Sequence, residues 1–107
     1  MYRQGRSFSN RQLVLHAFAR TTPGELREEP RLGLSVSRKV GGAVDRNLVK
    51  RLVREAFTEL SAELPPHLDI VVVARPEALA LAERDGLAGI RPALAELVAK
   101  LAEAEAA

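Results

Sequence analysis

Residues 31–57 read RLGLSVSRKVGGAVDRNLVKRLVREAF, and within this stretch the apolar spacing changes from a period of two to a period near 3.6. That change sets the fold class. In residues 31–38, Leu32, Leu34 and Val36 share one face of a predicted strand, while Gly33, Ser35 and Ser37 leave the opposite face shallow and polar. Left uncovered, such a face is a groove. Gly41-Gly42 interrupts the strand, and Asp45 is the expected N-cap of a helix over residues 46–63, which Pro65-Pro66 terminates.

At 100° per residue the helix divides into two faces. Taking Arg46 as the origin, Lys50 falls at roughly 40°, Arg54 at roughly 80°, Asn47 at roughly 100° and Arg51 at roughly 140°. Four cations and one amide therefore form a single stripe. Leu48, Val49, Leu52, Val53, Ala56 and Leu60 make the core-facing side, and Phe57 sits at the border. Like charges spaced i, i+4 repel by a few tenths of a kcal/mol per pair, so a stripe of this kind needs an anionic partner or serves as a solvated face. Phosphates fit the first reading: Arg offers a planar fork, Lys a point charge, and Asn47 both a donor and an acceptor near the positive end of the helix. Arg38 and Lys39 extend the patch ahead of the Gly-Gly turn.

Outward from this core the pattern continues in short elements. Residues 11–19 alternate as a strand, with Leu13, Leu15 and Ala17 on one side and Val14, His16 and Phe18 on the other; Ser7 to Asn10 add a short strand before it. Residues 21–30, with Pro23-Gly24 and Pro30, read as the loop of a long hairpin. Residues 68–75 form a nearly continuous β-branched run, expected at the centre of a sheet with both faces buried. A short helical turn is expected at residues 77–84. Leu87, Ile90, Leu94, Leu97, Val98 and Leu101 then mark the apolar stripe of a final helix, in which Pro92 fits only within the first turn. Strands and helices in this order predict an α/β sandwich, with helices packed on a small sheet.

The chain has 107 residues, enough for one domain over residues 1–107 and one core. Hydrophobic residues make up 47% and charged residues 28%, the balance of a chain that folds. There is no Cys, which excludes disulfides, thiolate metal sites and thiol nucleophiles and suits a reducing cytoplasm. No apolar run is long enough for a membrane span, and the first residues lack the apolar centre of a secretory signal. The net charge of +2 hides a division: residues 1–54 carry 12 Lys+Arg against 4 Asp+Glu, and residues 55–107 carry 4 against 10. A basic half of this kind points to nucleic acid or to nothing more than a solvated surface, and charge alone does not separate the two.

Residues 31–57 closely resemble the signature of the protein subunit of bacterial ribonuclease P, whose RN-x-x-KR-x-x-R core occurs as Arg46-Asn47, Lys50-Arg51 and Arg54. The resemblance extends to Asn10–Phe18 and Asp69–Arg75. It implies a small mixed sheet with packed helices and a left-handed β-α-β crossover, the fold of the second domain of ribosomal protein S5. It also implies a ribonucleoprotein that removes the 5′ leader of precursor tRNA in the cytoplasm, with precursor tRNA and ribonuclease P RNA as partners. In that family the RNA performs the hydrolysis with Mg²⁺ bound mainly by itself, and the protein has no catalytic residue and no metal ligand of its own. By the same resemblance, Arg46, Asn47, Lys50, Arg51 and Arg54 contact the catalytic RNA and help organise metal ions near it, and Arg38 and Lys39, which extend the patch, are expected to join them. Val14, His16 and Ser35 match the family's cleft for the single-stranded leader, and Tyr2 and Phe18 are the expected stacking surfaces beside it, a place in the core being the other reading of Phe18.

The sequence departs from the family in several places. The family begins with an additional amphipathic helix, and this chain starts near that helix's last turn, with Tyr2 its aromatic; apolar surface left by its absence would favour a dimer. Leu48 stands where a basic residue is usual, and His16 where an aromatic is usual. Two other readings stand beside the resemblance. One is an RNA-binding module of related fold, associated with the ribosome and without a processing role. The other, a stand-alone hydrolase, has little support, because His16 and His67 are far apart and no nucleophile, metal-ligand spacing or phosphate loop accompanies them.

Overall fold

A computed structural model describes residues 5–19, 31–64 and 68–106. Its centre is the β-branched strand β4 (Leu68–Ala74), flanked by β2 (Leu13–Ala19) on one side and β3 (Arg31–Val36) on the other; β1 (Arg6–Ser9) completes a four-stranded sheet in the order β1-β2-β4-β3. β1 pairs antiparallel with β2 and β2 antiparallel with β4, whereas β3 is parallel to β4, with Leu34 opposite Val72. The helix α1 (Ala43–Leu60) makes the crossover that this parallel pair requires, and α2 (Glu77–Asp85) and α3 (Leu87–Ala106) follow β4.

One face of the sheet carries the core. Leu13, Leu15 and Ala17 of β2, Leu68, Ile70, Val72 and Ala74 of β4, and Val36 of β3 meet Val49, Leu52, Val53, Ala56 and Leu60 of α1 and Ile90, Leu94, Leu97, Val98 and Leu101 of α3. The apolar stripes of both helices are those that the spacing predicted. Phe57, placed at the border of α1 by projection, is buried.

Several expectations are corrected. β2 and β3 do not form a hairpin, because β4 stands between them: an apolar strand gains most where both its edges are paired. The loop expected over residues 21–30 lies outside the described residues, as does His67. The run over β4 is not buried on both faces; Asp69, Val71 and Val73 alternate with the buried residues and stay half exposed. β3 ends at Val36, and residues 37–40 turn instead, with the Val40 N–H donating to the Ser37 carbonyl at 3.0 Å. Asp45 is not the N-cap. That position is Gly42, extended at φ −75° and ψ −173°, and Asp45 lies inside the first turn, so close to Gly41 that a Cβ there would sit 2.7 Å from it. The helix closes at Leu60 and a 3₁₀ turn spans Ser61–Glu63. Pro92 lies beyond the first turn of α3, where it removes a donor to the carbonyl of Ala88; both residues are exposed, so water can satisfy that group.

Asn10 ties the β1–β2 turn to α3. Its Oδ1 accepts from the N–H groups of Leu13 (2.8 Å) and Gln12 (3.1 Å), while Nδ2 donates to the Ala93 carbonyl (2.9 Å) and to Glu96 (3.1 Å). Replacing Asn10 with Ala removes all four bonds from a partly buried site. Chemical denaturation should show a loss of roughly 1–3 kcal/mol with the m-value unchanged.

Candidate nucleic-acid interface

The burial of one side of α1 decides where its charges point. Val49, Leu52, Val53, Ala56, Phe57 and Leu60 face the core, leaving Asn47, Arg51 and Arg54 exposed and Arg46 and Lys50 partly so. Long side chains in this position lay their stems on the helix and lift their charge into solvent. From Arg46 to Arg54 the stripe runs for roughly 12 Å along the helix axis. Ahead of it, buried Val40 pins the turn that holds Arg38 and Lys39 outward, where the Lys39 N–H donates to Ser37 Oγ at 3.2 Å.

Among the described residues, Arg38, Lys39, Arg46, Lys50 and Arg54 have no ion-pair partner; Arg46 Nε makes only a long bond to the Gly42 carbonyl, 3.4 Å. Arg51 differs. It pairs with Glu55 at 3.4 Å: this carboxylate lies just beyond the stripe on the helical projection, yet one turn along the helix it still reaches Arg51. Glu59 is drawn away from α1's basic face by Arg91 of α3.

A second surface lies on the sheet face opposite the core. The strand registers set its side chains in three rows across β1, β2, β4 and β3: Ser9, Val14, Val73, Ser35; then Ser7, His16, Val71, Gly33; then Gly5 beside β1, Phe18, Asp69, Arg31. The middle is apolar and the margins are small and polar. Phe18 is 45% exposed, and its ring lies 6.5 Å from that of His16 at an interplanar angle of 17°. Gly5 makes this possible, since a Cβ there would come within 2.6 Å of the Phe18 ring. At the far end Arg31 Nε donates to Asp69 Oδ1 at 3.0 Å. Of the predicted cleft residues, Val14, His16, Phe18 and Ser35 are brought together on this face; Tyr2 lies outside the described residues. Val71 and Val73 form its floor and were missed, because an unbroken apolar run carries no sign of which alternate residues stay uncovered.

A family model described as Ribonuclease P matches residues 1–101. The chain belongs to the ribonuclease P protein family. It is 51% identical over 75 residues to the ribonuclease P protein component of Shouchella clausii, covering 70% of this chain and 58% of that one. To the protein component of Listeria innocua it is 41% identical over 78 residues, or 73% of this chain and 62% of that one. The matches thus span about three fifths of these relatives. Among solved structures, the RNase P protein from Thermotoga maritima superposes with a TM-score of 0.75 at 33% identity, covering 89% of this chain and 82% of that one. The Staphylococcus aureus RNase P protein gives 0.67 at 32% identity, over 87% and 81%. Family membership agrees with the mixed sheet, the α1 crossover and the helical layer.

If the five bare cations of this family member neutralise phosphates, log affinity for RNA falls with log salt at a slope of roughly −3.5 to −4.5. Changing Lys50 or Arg54 to Ala should flatten that slope by about one unit in an anisotropy titration. An unaltered slope assigns those side chains to solvent.

Proposed function

We propose that this chain is the protein component of a ribonuclease P, supporting removal of the 5′ leader from precursor tRNA by a catalytic RNA. The observation that carries the reading is the partition of α1: its apolar face is locked in the core, and Arg46, Asn47, Lys50, Arg51 and Arg54 face out together beside Arg38 and Lys39. Folded RNA presents phosphates at this density. The open sheet face suits the single-stranded leader, because bases stack on aromatic rings and apolar floors without needing a fixed sequence. His16 and Phe18 provide the ring surface, Val14, Val71 and Val73 the floor, and Ser35 a hydroxyl at the margin.

On this reading the protein binds and positions, and the RNA cuts. Among the described residues no three His, Asp or Glu side chains gather where they could hold a metal ion, and a cationic stripe repels a dication. These residues do not fit the role of metal holder, so Mg²⁺ is assigned to the RNA. Also among the described residues, no helix is long and apolar enough to cross a membrane. The family match weighs against a ribosome-associated module without a processing role.

The direct test is cleavage of 5′-labelled precursor tRNA by a cognate catalytic RNA at limiting Mg²⁺, with and without the full-length protein. Addition should restore cleavage. Absence of rescue, or tighter binding to ribosomal RNA than to the catalytic RNA, overturns the assignment. Within the assembled enzyme, Phe18→Ala should weaken precursor binding by about 1–3 kcal/mol while affinity for leaderless tRNA stays the same. Equal losses on both ligands would remove Phe18 from the leader surface.

A further inference from the structure

The order of charges along α1 runs against the helix dipole. Its cations lie in the first two thirds of the helix, its last turn holds no basic residue, and Glu55 and Glu59 lie toward the negative end. Stability of the free helix does not account for that order. Glu59 has a structural partner in Arg91 of α3. Glu55 alone among the described acidic residues touches a cation of the stripe, with its carboxylate 3.4 Å from Arg51 Nη1. It lies one turn beyond Arg51, at roughly 180° on the projection that places Arg51 at roughly 140°. Both side chains are about half exposed, 61% for Arg51 and 46% for Glu55, so the pair is open to competition from any phosphate that approaches.

From this geometry we infer that Glu55 is a specificity-determining residue of the RNA-binding helix, holding Arg51 in reserve and marking the border beyond which α1 does not engage RNA backbone. The inference rests on the proposed RNA-binding role of α1. A phosphate that reaches Arg51 must displace the Glu55 carboxylate or lie beside it, and either one opposes binding. An RNA whose backbone follows Arg46, Lys50 and Arg54 avoids most of that opposition. One that crosses the helix further along meets it in full. A repulsive group at the edge of an attractive patch discriminates between partners in this way, at some loss of affinity for all of them.

The test compares the full chain with Glu55→Gln in salt titrations against two ligands, the cognate catalytic RNA and an unrelated structured RNA of equal length. Glu55→Gln should bind both more tightly, the unrelated RNA by the larger factor, so that the affinity ratio falls roughly 1.5- to fivefold, as expected for one partly screened charge contact. The salt slope should steepen by about 0.7–0.9 as Arg51 takes up a phosphate. Arg51→Ala should then flatten the slope more in the Gln background than in the unaltered chain. A purely structural ion pair predicts the opposite sign, with slightly lower thermal stability and binding unchanged or weaker. Equal gains on both RNAs, or no gain, overturn the inference while leaving the RNA-binding reading intact. If the unaltered chain binds neither RNA, both fail together.

Discussion

Burial of one side of α1 is the constraint on which the rest depends. Val49, Val53 and Ala56 are fully enclosed and Leu52, Phe57 and Leu60 nearly so, between the sheet and α3. Rotating the helix by even one residue position, about 100°, would drive cations into that core, and burying an unpaired charge costs several kcal/mol. The stripe is therefore aimed by packing. Its direction needs no contribution from the charged residues themselves, which leaves them available to a ligand.

The same asymmetry governs the sheet. The helices that fill the core, α1 and α3 with Ala78, Leu81 and Ala82 of α2, leave the opposite face of the sheet uncovered, and β4 pairs along both edges, so the alternate residues of β2, β4 and β3 form a shallow surface with an apolar middle. Glycine and serine on β3 keep that surface low. Phe18 can stay exposed because Gly5 gives its ring room to lie near the β1 backbone, and His16 shares the same row spacing. Exposed apolar surface of this sort has a cost in an isolated protein, and binding a single-stranded nucleic acid offsets it.

A net charge of +2 describes the molecule poorly. Many of its acidic groups are engaged with nearby cations: Glu105 with Arg6, Asp69 with Arg31, Asp85 with Arg84, Glu59 with Arg91, and Glu96 with Lys100. Each such pair contributes little to stability at the surface. Together they neutralise positive charge away from the α1 stripe, so the field available to a polyanion is concentrated on one side of the protein.

Periodicity along the chain determined which residues of each element face inward. Leu13, Leu15 and Ala17, the α1 core face and the α3 stripe all stand where their spacing put them, and the cations of α1 form the stripe that the projection predicts, because the side a residue faces is a local consequence of backbone geometry. Pairing was decided by the tertiary structure. That β4 separates β2 from β3, that Val71 and Val73 lie uncovered, that Asn10 reaches α3, and that Arg91 rather than a stripe cation takes Glu59 all depend on residues distant in sequence. Helix limits behaved the same way: Gly42 replaced Asp45 as the cap because burial of Val40 and the close contact of Gly41 with Asp45 set where the turn ends. Periodicity assigns a side to each residue; only the folded packing decides what covers it.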